Sequence, residues 1–186
     1  MNAQNYLANL RSQFEYYKKL GEKTFAQLDH TQLFWEHNTA SNSIAVIVNH
    51  LHGNMLSRWT DFLTSDGEKS WRKRDEEFED IIRTHNELQE KWEEGWACLF
   101  NALDSITKEN FDRPVYIRNQ KHSIVEACNR QLAHYAYHVG QIVYIGRMLK
   151  DEAWQSLSIP KGKSKEFNQA KFNKGKHGGH FTDDIK

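Results

Sequence analysis

Two histidines four residues apart, His134 and His138, are the side chains of this sequence best placed to act together chemically. Four residues along an α-helix turn the side-chain direction by about 40°, so both imidazoles leave the same face, one above the other. Gln131 and Gln141 fall on the same line, on either side of the pair. The intervening residues are mostly apolar, which indicates a buried helix. Polar side chains buried there need partners, and these are either a metal ion with bound water or other polar side chains.

A second stretch of the chain offers a third metal ligand. Apolar residues at helical spacing predict a helix from near Ser43 to about Phe62, with a polar line beside the apolar face that contains Ser43, His50 and Asn54. His50 is the best placed of the remaining histidines because it lies in the middle of this helix. Three neutral imidazoles with one position left to water form a catalytic type of metal site. Zinc is the favoured ion, and nickel, cobalt, copper and iron also accept imidazole ligands.

Four long helices are expected to position these side chains, so the predicted fold class is all-α. Residues 4–28 carry apolar side chains at steps of three and four, as an amphipathic helix does. Two capping boxes, Thr84 with Glu87 and Ser123 with Glu126, predict the starts of the third helix and of the helix that carries the histidine pair. Between these two helices, residues 115–118 are compatible with one strand of a short hairpin that turns at residues 119–120.

The remaining stretches are predicted as connections. Residues 29–43 form a polar loop, and residues 64–83 show no clean period, so an exposed connection that packs through Trp71 and Phe78 is expected. From residue 156 onward the chain carries seven lysines against three acidic residues and few apolar ones. We therefore expect a helical domain over residues 1–155 and a basic C-terminal tail over residues 156–186, partly docked or disordered.

Charge and composition exclude several classes of protein. Lys plus Arg equals Asp plus Glu at 25 each, and a neutral chain argues against nucleic-acid binding. The longest apolar run, residues 44–48, is too short to cross a bilayer. The N-terminus is polar and two cysteines build no disulfide framework, so a cytoplasmic protein is expected. His-Glu-x-x-His and Glu-x-x-His are absent, which argues against a zinc protease and a ferritin-like di-iron site.

Two segments carry a resemblance to a known family. Residues 42–62, N-S-I-A-V-I-V-N-H-L-H-G-N-M-L-S-R-W-T-D-F, resemble the first ligand helix of the DinB-like superfamily of damage-inducible, metal-binding four-helix proteins. Residues 130–143, R-Q-L-A-H-Y-A-Y-H-V-G-Q-I-V, resemble its second ligand helix. The stretches D-G-E-K-S-W-R-K-R-D-E-E-F and W-x-S-L-S-I-P-x-G-K-S are similar to one uncharacterised branch, so the resemblance covers nearly the whole chain.

The resemblance implies an up-down-down-up four-helix bundle, a homodimer, and a metal held by His50, His134 and His138. His52 departs from the pattern, because a small apolar residue is expected there. Two residues along a helix place His52 about 200° from His50, so only one of them can bind the ion, and the alignment of His50 with Asn54 favours His50. Tyr16, Trp71 and Trp154 are candidates for the dimer interface.

Two classes of function follow from such a site. Relatives in the wider superfamily include thiol-dependent transferases and isomerases, which implies a low-molecular-weight thiol and a small electrophile as partners of a metal-dependent enzyme. Asn54, Gln131 and Gln141 would then orient the ligands or the substrate, unless they only join helix to helix. The alternative is a stress-related bundle with a structural or sensory metal. It gains weight because no general base is evident: the candidate, Glu36, lies in a loop.

Overall fold

The protein consists mainly of four long helices, in a computed structural model that describes residues 2–184. The α-helices are α1 (Ala3–Phe25), α2 (His30–Leu33), α3 (Ile44–Trp59), α4 (His85–Asp104), α5 (Ile124–Lys150) and α6 (Ser164–Phe172). Two strands, β1 (Pro114–Ile117) and β2 (Gln120–Ser123), pair antiparallel between α4 and α5. The short helix α2 lies in a stretch that the sequence analysis assigned to a loop. There, Asp29 caps the first turn in a capping box with Gln32.

The starts of the long helices are set by side chains that satisfy free backbone amides. The Thr84 hydroxyl accepts from the amide of Glu87, whose carboxylate accepts in return from the amide of Thr84. Ser123 and Glu126 do the same at the start of α5. Both predicted capping boxes are therefore confirmed. Ser43 caps α3, so this helix begins where the sequence predicted.

One aromatic side chain from each long helix meets at the centre of the core. Phe14 of α1 lies 6.1 Å from Trp59 of α3, 6.3 Å from Trp96 of α4 and 5.9 Å from Tyr135 of α5, measured between ring centroids. Around this cluster α3 packs on α4, and α1 packs on α5. The core is thus mostly helical, and Val115 and Ile117 of β1 complete it.

The contact between α3 and α5 includes a buried chain of hydrogen bonds. The indole nitrogen of Trp59 donates to the Tyr135 hydroxyl at 2.9 Å, and that hydroxyl donates to Asn54 Oδ1 at 3.1 Å. Tyr135 is fully buried. Tyr135 directly follows His134 and precedes His138 by one turn. This chain of bonds therefore fixes which face of α5 packs against α3.

The connection between α3 and α4 is more deeply involved in the core than expected. Phe78 packs as predicted, with its ring stacked on His50, but Trp71 is 55% exposed and does not pack. Instead the neighbouring Arg72 has a buried side chain, and Glu77, in a 3-10 turn over Asp75–Phe78, is buried as well. The charged residues of this stretch therefore belong partly to the interior.

The turn of the hairpin lies one residue earlier than predicted, at Arg118 and Asn119. Both residues have positive φ, 54° and 60°, as a two-residue turn between twisted strands requires. The Asp66 carboxylate accepts from both backbone amides at 2.8 Å, which compensates for the less favourable backbone conformation. The turn is thereby tied to the connection that follows α3.

The C-terminal part of the chain contacts α1 and the residues that follow this helix, and His180 Nε2 lies 3.0 Å from Asn9 Nδ2 of α1. Gln27 exchanges two hydrogen bonds with the backbone of Gln155, and Phe181 packs edge-to-face on Tyr16. Helix α6 between these points is mostly exposed. Within the described residues, every helix is too short or too polar to traverse a lipid bilayer.

Candidate metal centre

Three histidines from two helices converge next to the aromatic core. His50 comes from the middle of α3, and His134 and His138 come from consecutive turns of α5. One ring nitrogen of each lies within 4.8 Å of those of the other two. His50 Nε2 and His134 Nε2 are 3.3 Å apart. Two imidazole nitrogens bound tetrahedrally to one zinc ion lie about 3.4 Å apart, because each Zn–N bond is about 2.05 Å long.

Hydrogen bonds fix which nitrogen two of the rings present. His50 Nδ1 lies 2.9 Å from Glu77 Oε2, and His138 Nδ1 lies 2.7 Å from Gln141 Oε1. Both partners are acceptors, so each Nδ1 carries the proton and donates it. The lone pair then resides on Nε2 of each ring, which is the atom that can bind a metal.

Glu77 is held rigidly beside His50. Its two carboxylate oxygens accept from Nε and Nη2 of Arg72 at 2.6 and 2.8 Å, and the Asn49 amide donates to its backbone carbonyl at 3.0 Å. Burial raises the pKa of Glu77, but the hydrogen bonds from Arg72 and His50 outweigh it and hold the pKa below its usual range. The carboxylate therefore stays ionised and accepting. Gly53 leaves room for it: a Cβ at this position would lie 2.6 Å from Glu77 Oε1.

Burial keeps the imidazoles on α5 uncharged. It lowers the pKa of His134 to about 3, with further lowering from the neighbouring His138 and His50. Burial also lowers the pKa of His138 despite the hydrogen bond to Gln141. Neutral rings keep the lone pair that a metal ligand needs, so this environment suits metal binding at physiological pH.

The three rings line one side of a cavity of about 330 Å³. Asn54 and Gln131 also line it, whereas Gln141 lies behind His138 and acts on it through the hydrogen bond to Nδ1. Asn54 accepts from Tyr135. Gln131 is 4% exposed, and its Oε1 has no hydrogen-bond partner within residues 2–184. Of the three amides, Gln131 is the one with an acceptor left for a bound ligand.

The other candidate residues lie away from this cluster. His52 leaves α3 on the far side from His50 and bonds through Nε2 to Glu94 Oε2 at 2.8 Å. Glu36 is exposed and does not line the cavity. In the tail, His177 bonds to the Gly175 carbonyl, and His180 bonds to the Thr182 hydroxyl and to the Asn9 amide of α1.

The sequence analysis missed Glu77 and Arg72. Both lie in the stretch D-G-E-K-S-W-R-K-R-D-E-E-F, which carried part of the family resemblance. Its mixed charges are typical of a solvated loop. The family resemblance of this stretch was the one available signal that some of its charged residues are buried in the structure.

Fold and site together define a mostly helical protein with a three-histidine cluster, between two of its long helices, that could hold a metal ion. The chain belongs to the family described as "Protein of unknown function (DUF1572)", whose model matches residues 1–163. The matched region includes all three histidines and Glu77. A search of curated proteins and a search of solved structures find no match.

Proposed function

We propose that this protein is a DinB-like four-helix bundle of up-down-down-up topology that binds a divalent ion, zinc or nickel, through His50, His134 and His138. The observation that carries the proposal is the pair of hydrogen bonds to Glu77 and Gln141. They leave the Nε2 lone pairs of His50 and His138 available to a metal, and the His134 ring lies 5.3 Å from the His50 ring and 4.7 Å from the His138 ring, measured between centroids.

The arrangement favours a catalytic ion over a structural one. Among the described residues, no fourth His, Cys, Asp or Glu joins the group. Three protein ligands and an open position are typical of catalytic zinc, whereas structural zinc is closed by four. The open side faces the cavity, which can admit a small molecule.

We infer a thiol transferase that acts on small electrophiles, with a low-molecular-weight thiol as co-substrate. His50, His134 and His138 would hold the ion, which would supply a Lewis acid that lowers the pKa of a bound thiol, so that the proton could pass to solvent without a protein base. The thiolate sulfur then forms a bond to the electrophilic carbon, and the leaving group departs with its electron pair. Asn54 and Gln131 line the space where the two substrates meet.

A hydrolase is less well supported, because hydrolysis at such a site uses a general base. Glu77 is the nearest carboxylate, but it accepts from both Arg72 and His50, and its pKa is held low. The absence of a carboxylate among the residues that line the cavity also favours the second candidate, a non-enzymatic bundle with a structural or sensory metal. An exchangeable ligand on the ion distinguishes an enzyme from that bundle.

The test is metal analysis of protein purified without an affinity tag, together with two variants. The wild type should carry about one divalent ion per chain, and added zinc or nickel should raise its melting temperature. At a free metal concentration of a hundred times Kd, the free energy of unfolding should increase by about 2.7 kcal/mol. His50→Ala should lose the metal after dialysis against a weak chelator. His52→Ala should retain it, because His52 binds Glu94 on the other side of α3. A metal-free wild type whose melting temperature ignores added zinc and nickel would disprove the metal site.

Turnover is tested separately. Metal-loaded protein is mixed with small thiols and a bimane electrophile, and thioether formation is followed by fluorescence. Activity that depends on the metal and on His50 supports the transferase. A loaded protein that is inactive with all thiols supports the structural or sensory role.

We also propose a cytoplasmic location, because both cysteines, Cys98 and Cys128, are free, as is usual in a reducing compartment.

A further inference from the structure

The cavity beside the three histidines is strongly basic, although the chain as a whole is neutral. Lys plus Arg and Asp plus Glu number 25 each over the sequence. Among residues 2–184, no carboxylate lines the cavity, whereas five guanidinium groups do: Arg58, Arg72, Arg74, Arg118 and Arg130. Positive charge is therefore concentrated where a ligand would approach the histidines.

Two glutamates behind the cavity neutralise only part of this charge. Glu68 pairs with Arg58 at 3.1 Å, with Arg72 at 3.2 Å and with Arg118 at 3.3 Å, and Glu77 pairs with Arg72. Five arginines against two glutamates leave an excess of three positive charges. A divalent ion on the histidines would add to it.

Arg74 and Arg130 make no ion pair with any described residue. The guanidinium of Arg74 lies 5.5 Å from the centre of the Phe78 ring, which itself stacks on His50. Arg130 approaches His122 Nε2 at 3.5 Å. These two side chains keep most of their hydrogen-bond donors for a ligand at the mouth of the cavity.

Four separate segments bring the arginines together, which argues against a chance cluster on one helix face. Arg58 comes from α3, Arg74 from the connection after it, Arg118 from the hairpin turn and Arg130 from α5. The Asp66 carboxylate holds the turn at Arg118 in its left-handed conformation. The hairpin turn and its hydrogen bond to Asp66 therefore fix the position of the Arg118 backbone.

We propose that the ligand which reaches the histidine cluster carries a carboxylate or phosphate group, and that Arg74, Arg118 and Arg130 bind this group at the mouth of the cavity. Guanidinium groups pair with both kinds of oxyanion through parallel hydrogen bonds. A cleft lined by one sign of charge also concentrates ligands of the opposite sign and repels cations. The unpaired Oε1 of Gln131 accepts from an N–H or O–H elsewhere on the ligand. The inference rests on the proposed function in one respect: the part of the ligand that reacts is taken to lie at the metal.

The test is calorimetric titration of chelator-treated, metal-free protein with inorganic phosphate and, separately, with succinate. We expect at least one of them to bind. The triple variant R74A/R118A/R130A should bind it at least about tenfold more weakly, because hydrogen bonds to charged groups are lost. R113A is the matched control, since Arg113 is exposed and does not line the cavity, and it should bind as the wild type does. Tighter binding of phosphate or of succinate identifies which anion the ligand carries.

Two results would overturn the proposal: no binding of either anion to metal-free protein, or equal binding by the wild type and the triple variant. Binding seen only with zinc and insensitive to the arginines would show a metal ligand, and overturns it too. If the triple variant does not fold, R74Q and R130Q are measured singly, because neither arginine supports the fold through an ion pair. Metal analysis of the same samples keeps the hypotheses apart. Arginine-dependent anion binding without metal binding would refute the proposed function and leave this inference standing.

Discussion

The orientation of His50 depends on one buried carboxylate. Glu77 accepts the Nδ1 proton of His50 and is itself held by two hydrogen bonds from Arg72, whose side chain is 1% exposed. Removing one partner of such a buried pair typically costs about 3–5 kcal/mol, because the other charge stays in the interior. Substituting Glu77 therefore tests folding more than metal binding, and a milder substitution is needed to separate the two.

Gly53 provides that milder substitution. Alanine in a helix interior normally stabilises by about 0.5–1 kcal/mol relative to glycine. Gly53→Ala should instead weaken metal binding, because the new Cβ would lie 2.6 Å from Glu77 Oε1 and displace that carboxylate from His50. Gly140→Ala is the control, since a Cβ there meets no atom within 4 Å and should give the usual stabilisation. Zinc titration and urea unfolding of both variants measure the two effects. Equal zinc affinity in both variants would show that Glu77 does not orient His50.

The stability of the metal-free protein should depend on pH through His134. The pKa of His134 is about 3 in the folded protein and near 6.5 when the chain is unfolded. Between these values the unfolded state binds a proton that the native state excludes, so the free energy of unfolding of metal-free protein should fall as the pH drops through this window. His134→Gln should show a shallower fall. Urea unfolding at several pH values compares the two. Parallel curves would mean that His134 is protonated in the folded protein as easily as in the unfolded one.

The rotation of α5 against α3 is fixed by Tyr135. Tyr135→Phe removes the hydroxyl between Trp59 Nε1 and Asn54 Oδ1, and leaves two buried polar groups without that partner. We expect a loss of about 1–3 kcal/mol in the free energy of unfolding. Tyr137→Phe, on the same helix at 64% exposure, should change it by about 0.5 kcal/mol or less. Denaturant unfolding of the pair tests this, and equal stabilities would count against the bridge.

Much of the helical framework could be predicted because its signals are local. The capping boxes at Thr84 and Ser123 involve residues three apart, and the line of histidines follows from the helical period alone. The bond between His50 and Glu77 spans 27 residues and joins a helix to a stretch without periodicity, so no local pattern indicates it. The α2 turn was missed because four residues are too few to show a period.

The basic cavity was invisible in the sequence for a different reason. Its arginines, at positions 58, 72, 74, 118 and 130, come from distant segments, and their charge is cancelled in the composition by acidic residues elsewhere on the surface. The neutral total of the chain predicts that it has no nucleic-acid partner. It says nothing about the field at one site.

We predict a homodimer that forms through α5. Tyr137, Tyr144 and Met148 are 64%, 70% and 45% exposed, and their spacings of seven and four place them along one face. Of the interface candidates from the sequence, Tyr16 packs on Phe181 and Trp154 lies close to Gly146, while Trp71 remains exposed. Light scattering at micromolar concentration should report twice the 22.0 kDa of one chain.

Tyr144→Arg should shift that mass to the monomer, because a charge at the centre of an apolar contact opposes association. Trp71→Arg is the matched control, at an exposed aromatic outside α5. A monomeric wild type would disprove the dimer, and dissociation by Trp71→Arg alone would move the interface from α5 to the connection after α3.

The arginines around the cavity also affect how fast a metal can arrive. A divalent cation that entered by this mouth would meet an excess of positive charge, so its capture by the three imidazoles would be slow. A cation that travels as an anionic chelate, with carboxylates or thiolates around it, meets no such barrier. The protein would then accept its metal from a small acidic carrier more readily than from water.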